Sequence, residues 1–275
     1  MTSTVAAVAE LLESLWPESG AEHWDAVGLV VGNPSADVDM VLLAVDAVGD
    51  TVDEAVALGA KLLITHHPLL LRGVTSVAED RYKGSLVARL VRADCALFAV
   101  HTNADVVSSG TSGTLARLLG LTDLESLDGQ SDAPPSVTGI GRFGRLPEPV
   151  SLGRLARTLA DLLPATATGV RVSGDYDAEI STVALCAGAG DSYLSAPLVS
   201  RADVFITSDL RHHPASEARE NAKLGGGPAL IDISHWASEW LWLDAAGAQL
   251  REALPGVRTI VSELRTDPWD FAVTQ

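Results

Sequence analysis

The sequence predicts an α/β fold made of two similar lobes, each a mixed sheet flanked by helices, with a metal cleft between them. Three observations carry that expectation. Short continuous apolar runs such as Val41–Val45 and Leu62–Ile64 read as strands covered on both faces. They alternate with helical patterns in a β-α-β rhythm, which favours parallel pairing. The rhythm occurs twice, and histidines and acids gather where the expected strands end.

In chain order, residues 3–16 place Val5, Val8, Leu11, Leu12 and Leu15 at helical spacing, and Pro17 stops the helix. Gly28–Gly32 reads as a short strand closing in a turn. Val41–Val45 is a buried strand ended by Asp46. Residues 51–58 form a helix, capped near Asp50 or Thr51, with Gly59 at its C-terminus. Lys61–Thr65 is a strand that runs into His66-His67-Pro68. A helix over 83–93 precedes the strand Ala96–Val100, which ends at His101. Thr111–Leu119 is a helix with Gly120 as its cap. Residues 121–137, with Pro134-Pro135, are polar and mark the boundary between lobes. The first lobe is therefore drawn over 1–125, with contributions from the C-terminal segment, and the second over 126–275.

Gly139-Ile140-Gly141-Arg142-Phe143-Gly144 matches G-x-G-x-x-G. Pro147 and Pro149 stand where a phosphate-binding helix should begin, so a glycine-containing strand is expected instead. A helix over 151–163 and a strand over 170–173 follow. The second half then repeats the first. Val183–Gly188 answers Val41–Asp46, Val204–Thr207 answers Leu62–Thr65, and Leu230–His235 answers Ala96–His101. Val41 to His66 spans the same distance as Val183 to Ser208. His101-x-x-x-Asp105 answers His235-x-x-x-Glu239, and the whole reads as a degenerate duplication.

Composition narrows the function. A hydrophobic fraction of 47% and a mean hydropathy of +0.22 permit a full core in 275 residues. A formal net charge of -17 argues against a nucleic-acid surface. No apolar run reaches the roughly 18 residues of a membrane span, and Glu10 and Glu13 interrupt the N-terminal apolar stretch, so no secretory signal is expected. Cys95 and Cys186 sit inside apolar runs as core thiols. A cytoplasmic protein is the expectation.

Ligands of open α/β sheets gather beyond the carboxyl ends of the strands. His66, His67, His101, Asp105, Asp209, His235 and Glu239 all fall there. His235 and Glu239 share a face if a helix starts near His235. Imidazole and carboxylate without thiolate suit Zn, Fe or Mn, and shared carboxylates suit two divalent ions. His101 reads equally as a ligand, as a group that orients one, or as a substrate contact. His212 and His213 read as substrate-side or acid/base groups, or as simple surface residues. Trp236, Trp240 and Trp242 read as core or interface. G-x-S-x-G is absent, so no serine nucleophile elbow is expected.

The pieces Trp24–Gly32, Ile64–Pro68, His101–Asp105, Cys186–Gly190, Ile206–His213 and Asp232–Glu239 resemble the GTP cyclohydrolase 1 type 2 homologues, also called NIF-three-like proteins. They run in order along nearly the whole chain. The resemblance implies two similar α/β lobes around a dinuclear metal site. Its ligands are implied at His66, His67, Asp105, His235 and Glu239, with Glu239 bridging. It also implies a ring-shaped homohexamer. Longer members carry an inserted domain, for which this chain is too short. Ala187 and Ser208 depart from the family's commoner glycines but remove no ligand.

Together these readings give a metal-dependent hydrolase of a nucleotide-like or phosphorylated small molecule, with His101, Asp209 or His213 moving protons. The alternative is a non-catalytic metal carrier or ring-forming scaffold. Nucleic acid and membrane are not expected partners.

Overall fold

The computed structural model describes residues 3–128 and 139–274. The Pro134-Pro135 boundary lies outside the described residues. The chain divides into two compact units, the first Met1–Ala104 with Leu243–Thr266, the second Asp105–Trp242 with Asp267–Gln275. The division thus falls at 104/105, where the sequence reading draws it at 125/126.

The elements run β1 (Ser3–Thr4), α1 (Val5–Leu15), β2 (Gly28–Val31), β3 (Asp37–Val38), β4 (Met40–Ala44), α2 (Gly49–Leu58), β5 (Leu62–Thr65), α3 (Tyr82–Arg92), β6 (Ala96–Ala99), α4 (Thr102–Asp105), α5 (Thr111–Leu118) and β7 (Thr122–Glu125). Then follow β8 (Arg142–Ser151), α6 (Leu152–Leu162), β9 (Arg171–Ser173), β10 (Glu179–Ala189), α7 (Pro197–Arg201), β11 (Val204–Ser208), α8 (His212–Lys223), β12 (Ala229–Ile233), α9 (His235–Ala253) and β13 (Arg258–Val261).

The first unit holds a five-stranded sheet in the order β13-β4-β5-β6-β2. All its pairs are parallel except β2 with β6. The second holds a six-stranded sheet in the order β7-β8-β10-β11-β12-β9, parallel through β10, β11 and β12 and antiparallel elsewhere. The repeat read from sequence reappears as pairing register. Val41 pairs with Leu62, and Val183 pairs with Val204 at the same separation. In each unit a short strand before the first parallel strand, β2 or β9, returns antiparallel beside the third, β6 or β12.

Both sheets bury apolar side chains because their strands carry them on both sides. In the second unit Val183, Leu185, Val204 and Ile206 join a core with Leu155 and Leu159 of α6. The alternating neighbours Ala184, Cys186 and Phe205 face a separate core with Phe143. In the first, Leu42, Leu63 and Leu97 pack with Val52 of α2 and Leu86 and Leu90 of α3. Truncating one such leucine to alanine costs about 2–5 kcal/mol.

The helix ends follow local chemistry. Thr4 caps α1 by accepting the Ala7 N–H at 3.2 Å, and Ser151 caps α6 by accepting that of Arg154 at 3.3 Å. α2 begins earlier than its sequence suggests. Its cap position is Val48, and the Thr51 hydroxyl, one turn in, reaches back to accept the Val48 N–H at 3.1 Å. Gly59 closes α2 at φ 74°. Gly144 lies within β8, with no helix after it until α6. Residues 122–125, expected within a polar connection, form β7 against β8. All four are exposed, so no apolar alternation marks them. Trp236 and Trp242 of α9 are core residues. Among the described residues no helix is long and apolar enough to cross a membrane.

Candidate metal site

In the first unit the parallel register of β4, β5 and β6 brings three strand ends level. His66 and His67 leave the end of β5, and His101 follows β6. Their ring centroids lie 5.1 to 5.5 Å apart, and one possible ligand atom from each lies within 4.8 Å of the other two. Each ring is held by its Nδ1. His66 Nδ1 donates to the Val100 carbonyl at 2.9 Å. A carbonyl only accepts, so this fixes the proton on Nδ1. His67 Nδ1 meets Asp46 Oδ1 at 2.7 Å, and His101 Nδ1 meets Asp25 Oδ1 at 2.9 Å. With Nδ1 engaged, Nε2 is the nitrogen each ring could offer to a metal ion.

Asp25 is almost fully buried. Burial alone would raise its pKa, but the hydrogen bonds from His101 and Thr102 outweigh it, and the carboxyl stays far below its ordinary value. Its Oδ2 accepts the Thr102 N–H at 3.0 Å and the Thr102 hydroxyl as well. Trp24 stands edge-on to His101, with centroids 5.8 Å apart.

In the second unit the ends of β10, β11 and β12 carry the corresponding group. Asp209 leaves β11 in a left-handed conformation, φ 58°, which aspartate tolerates better than most side chains. Its Oδ2 meets His235 Nδ1 at 2.7 Å. One turn along α9, Glu239 Oε1 lies 3.0 Å from His235 Nε2, the i, i+4 geometry expected from sequence. Burial disfavours a charged His235, yet the Glu239 and Asp209 carboxylates prevail and hold its pKa well above the ordinary value. Two carboxylates thus flank this one imidazole. Gly188, at φ 73°, lies against this pair, and a Cβ there would stand 2.5 Å from Glu239 Oε1. Asp105 also belongs to this unit, where its Oδ1 accepts the Thr111 hydroxyl.

Histidine nitrogen and carboxylate oxygen, anchored from behind and without thiolate, form a donor set that suits a divalent cation. His66, His67 and His101 are brought together in one unit, and Asp209, His235 and Glu239 in the other. His213 is exposed at the first turn of α8, with its ring centroid 5.2 Å from that of His212. His23 is exposed too. Sequence reasoning missed what Asp46 and Asp25 do. Asp46 had a readable signal, an acid at the end of the strand beside β5. Asp25 had none beyond its tryptophan neighbour, because its partner lies 76 residues away.

Residues 3–268 match the family model described as Duf34/NIF3 (NGG1p interacting factor 3). A Streptomyces coelicolor protein named GTP cyclohydrolase 1 type 2 homolog is 47% identical over 266 residues, covering 95% of this chain and 92% of its own. A Mycobacterium leprae protein of the same name is 33% identical over 376 aligned positions, covering 98% of this chain and 96% of its own, so it carries stretches with no counterpart here. Among solved structures, a Bacillus cereus protein related to NIF3 superposes with a TM-score of 0.87 at 23% identity over 99% of this chain and 100% of its own, a likeness of fold. A Staphylococcus aureus hypothetical protein superposes at 0.86 with 28% identity, over 98% and 99%.

Proposed function

Because the chain belongs to the Duf34/NIF3 family, we propose that it holds two divalent ions through His66, His67, Asp105, His235 and Glu239, and hydrolyses a nucleotide-like or phosphorylated small molecule. The observation that carries this reading is the set of three strand-end imidazoles, each with Nδ1 held from behind. The name shared by the curated relatives supplies the substrate class. Zn, Fe and Mn all suit the donor set. Two such ions, when bound, supply an activated water and polarise the bond to be cleaved.

The chain's own groups manage protons around that chemistry. Asp25 holds His101 by Nδ1 and so orients its ring as a proton-moving group. Asp209, 2.7 Å from His235 Nδ1, is a second proton-moving group. His213, exposed at the start of α8, is the third group proposed to move protons. On the same family grounds we propose a cytoplasmic ring of six copies. A solution mass near that of one chain would refute the ring.

The test begins with elemental analysis of protein purified without added ions, then saturated with each metal. Fewer than two ions per chain at saturation refutes the dinuclear reading. A panel of nucleotides and phosphoesters is then assayed with wild type and Glu239→Ala. Turnover lost in the variant supports hydrolysis, and equal turnover in both refutes it. Two bound ions with no turnover across the panel would favour a carrier or scaffold.

A further inference from the structure

Beyond β13 the chain runs without regular structure from Ser262 to Asp267, and its side chains reach back into the body of the protein. Ser262 Oγ donates to Glu54 Oε2 at 2.5 Å. Thr266 Oγ1 donates to Asp46 Oδ2 at 2.5 Å. The other oxygen of that carboxylate, Oδ1, holds His67 Nδ1 at 2.7 Å. Asp46 is therefore gripped at both oxygens, and the rotation of its carboxylate, which sets where the His67 ring points, depends on Thr266.

The next residue does the corresponding work at a second place. Asp267 is buried, and its Oδ1 accepts the Ser234 hydroxyl at 2.7 Å. Its Oδ2 accepts the Trp269 N–H at 3.3 Å. Ser234 immediately precedes α9, and its Oγ accepts the Ala237 N–H at 3.2 Å, which makes it the cap of that helix. The first residue of α9 is His235, and Glu239 follows one turn later. Asp267 thus fixes the hydroxyl that fixes the helix start carrying both side chains.

We infer that Thr266 and Asp267 are positioning residues for metal: Thr266 aims His67 through Asp46, and Asp267 aims His235 and Glu239 through the Ser234 cap. The inference rests on the two-metal reading above. Two adjacent residues outside every helix and strand, neither of them a ligand, set the aim of three of the five proposed ligands. Groups that hold a ligand from behind typically change metal affinity 10–100-fold when removed.

The experiment is a chelator competition titration with Zn2+ on the full chain, with Co2+ absorption as the spectroscopic readout. Wild type is compared with Thr266→Val, Thr266→Ser, Asp267→Ala and Asp267→Asn. Thr266→Val is expected to weaken one binding step about 10–100-fold and to change the Co2+ spectrum. Thr266→Ser, which keeps the hydroxyl, restores both. Asp267→Ala weakens binding as well, and Asp267→Asn, which keeps an acceptor oxygen, retains most of the affinity. Should Thr266→Val fail to fold, Thr266→Ala takes its place. A residue that merely staples the chain would lower the melting temperature and leave affinity and spectrum unchanged, and that result overturns the inference while the two-metal reading stands. A wild type that takes up no ion overturns both.

Discussion

Replacing Gly188 with alanine isolates the crowding at the His235–Glu239 pair. Gly188 has φ 73°, where a side chain costs about 1–2 kcal/mol. Its backbone cannot retreat, because its N–H donates to Ser238 Oγ at 2.9 Å and its carbonyl accepts from Thr207 Oγ1 at 3.1 Å. The added Cβ would lie 2.5 Å from Glu239 Oε1 and 3.4 Å from His235 Nε2. The Glu239 carboxylate must move, giving up its 3.0 Å contact with His235. Disturbing a buried, charge-assisted contact adds about 1–3 kcal/mol. The total is about 2–5 kcal/mol, or about 4–20 °C of melting temperature for a domain of this size. Gly59 is the control. It has nearly the same φ, 74°, but nothing within 4 Å of its Cβ position, so Gly59→Ala pays only the backbone penalty. Thermal melts of both variants in EDTA at one pH give the comparison. A Gly188→Ala melting temperature equal to that of Gly59→Ala would refute the clash argument.

Two more predictions concern buried ionisable groups. The Asp25 carboxyl is held below its unfolded value of about 3.9, so it contributes stability that is fully present above that value and lost as pH falls toward the folded one. Melting temperatures of metal-free wild type and Asp25→Asn should therefore differ most at pH 5–6 and converge as the solution is acidified. A gap that stays constant down to pH 3 would contradict the assignment. Burial pushes the Cys95 thiol up to about 11 and raises that of Cys186 as well. Neither should react with a thiol reagent at pH 8 in native protein, and both should react in denaturant. Stoichiometric labelling without denaturant would show that the cores open readily.

Much of the fold was legible because its strands announce themselves. Val41–Val45, Leu62–Ile64 and Val204–Ile206 are buried on both faces, so their sequences are continuously apolar. The repeat was legible for the same reason, since equal spacing in sequence becomes equal register in the sheets. The strand ends then pointed to the histidines. What escaped was whatever depends on distant partners or on exposed backbone. β7 is exposed at every residue, and β13 is a short edge strand whose neighbour decides its pairing. Asp25 and Thr266 matter through single hydrogen bonds to residues far off in the chain, and no local pattern encodes such a bond. The role of His101, open between three readings in sequence, gains a physical basis from its buried aspartate, a contact only the fold supplies.

The first unit is not made from one continuous stretch of chain, and that bears on how the protein is born. Its sheet is completed by β13, which pairs along β4 from Arg258 to Val261, and its boundary runs on to Thr266. A ribosome emits the N-terminal residues first, and domains tend to fold as they emerge. Here the earliest strands must wait, one sheet edge unpaired, until Arg258–Val261 has been synthesised. The continuous Asp105–Trp242 stretch is free to fold in the meantime. Thr266, and with it the grip on Asp46 behind His67, emerges only after the whole Asp105–Trp242 stretch, so the histidine pair is secured after the second unit's strands have been made.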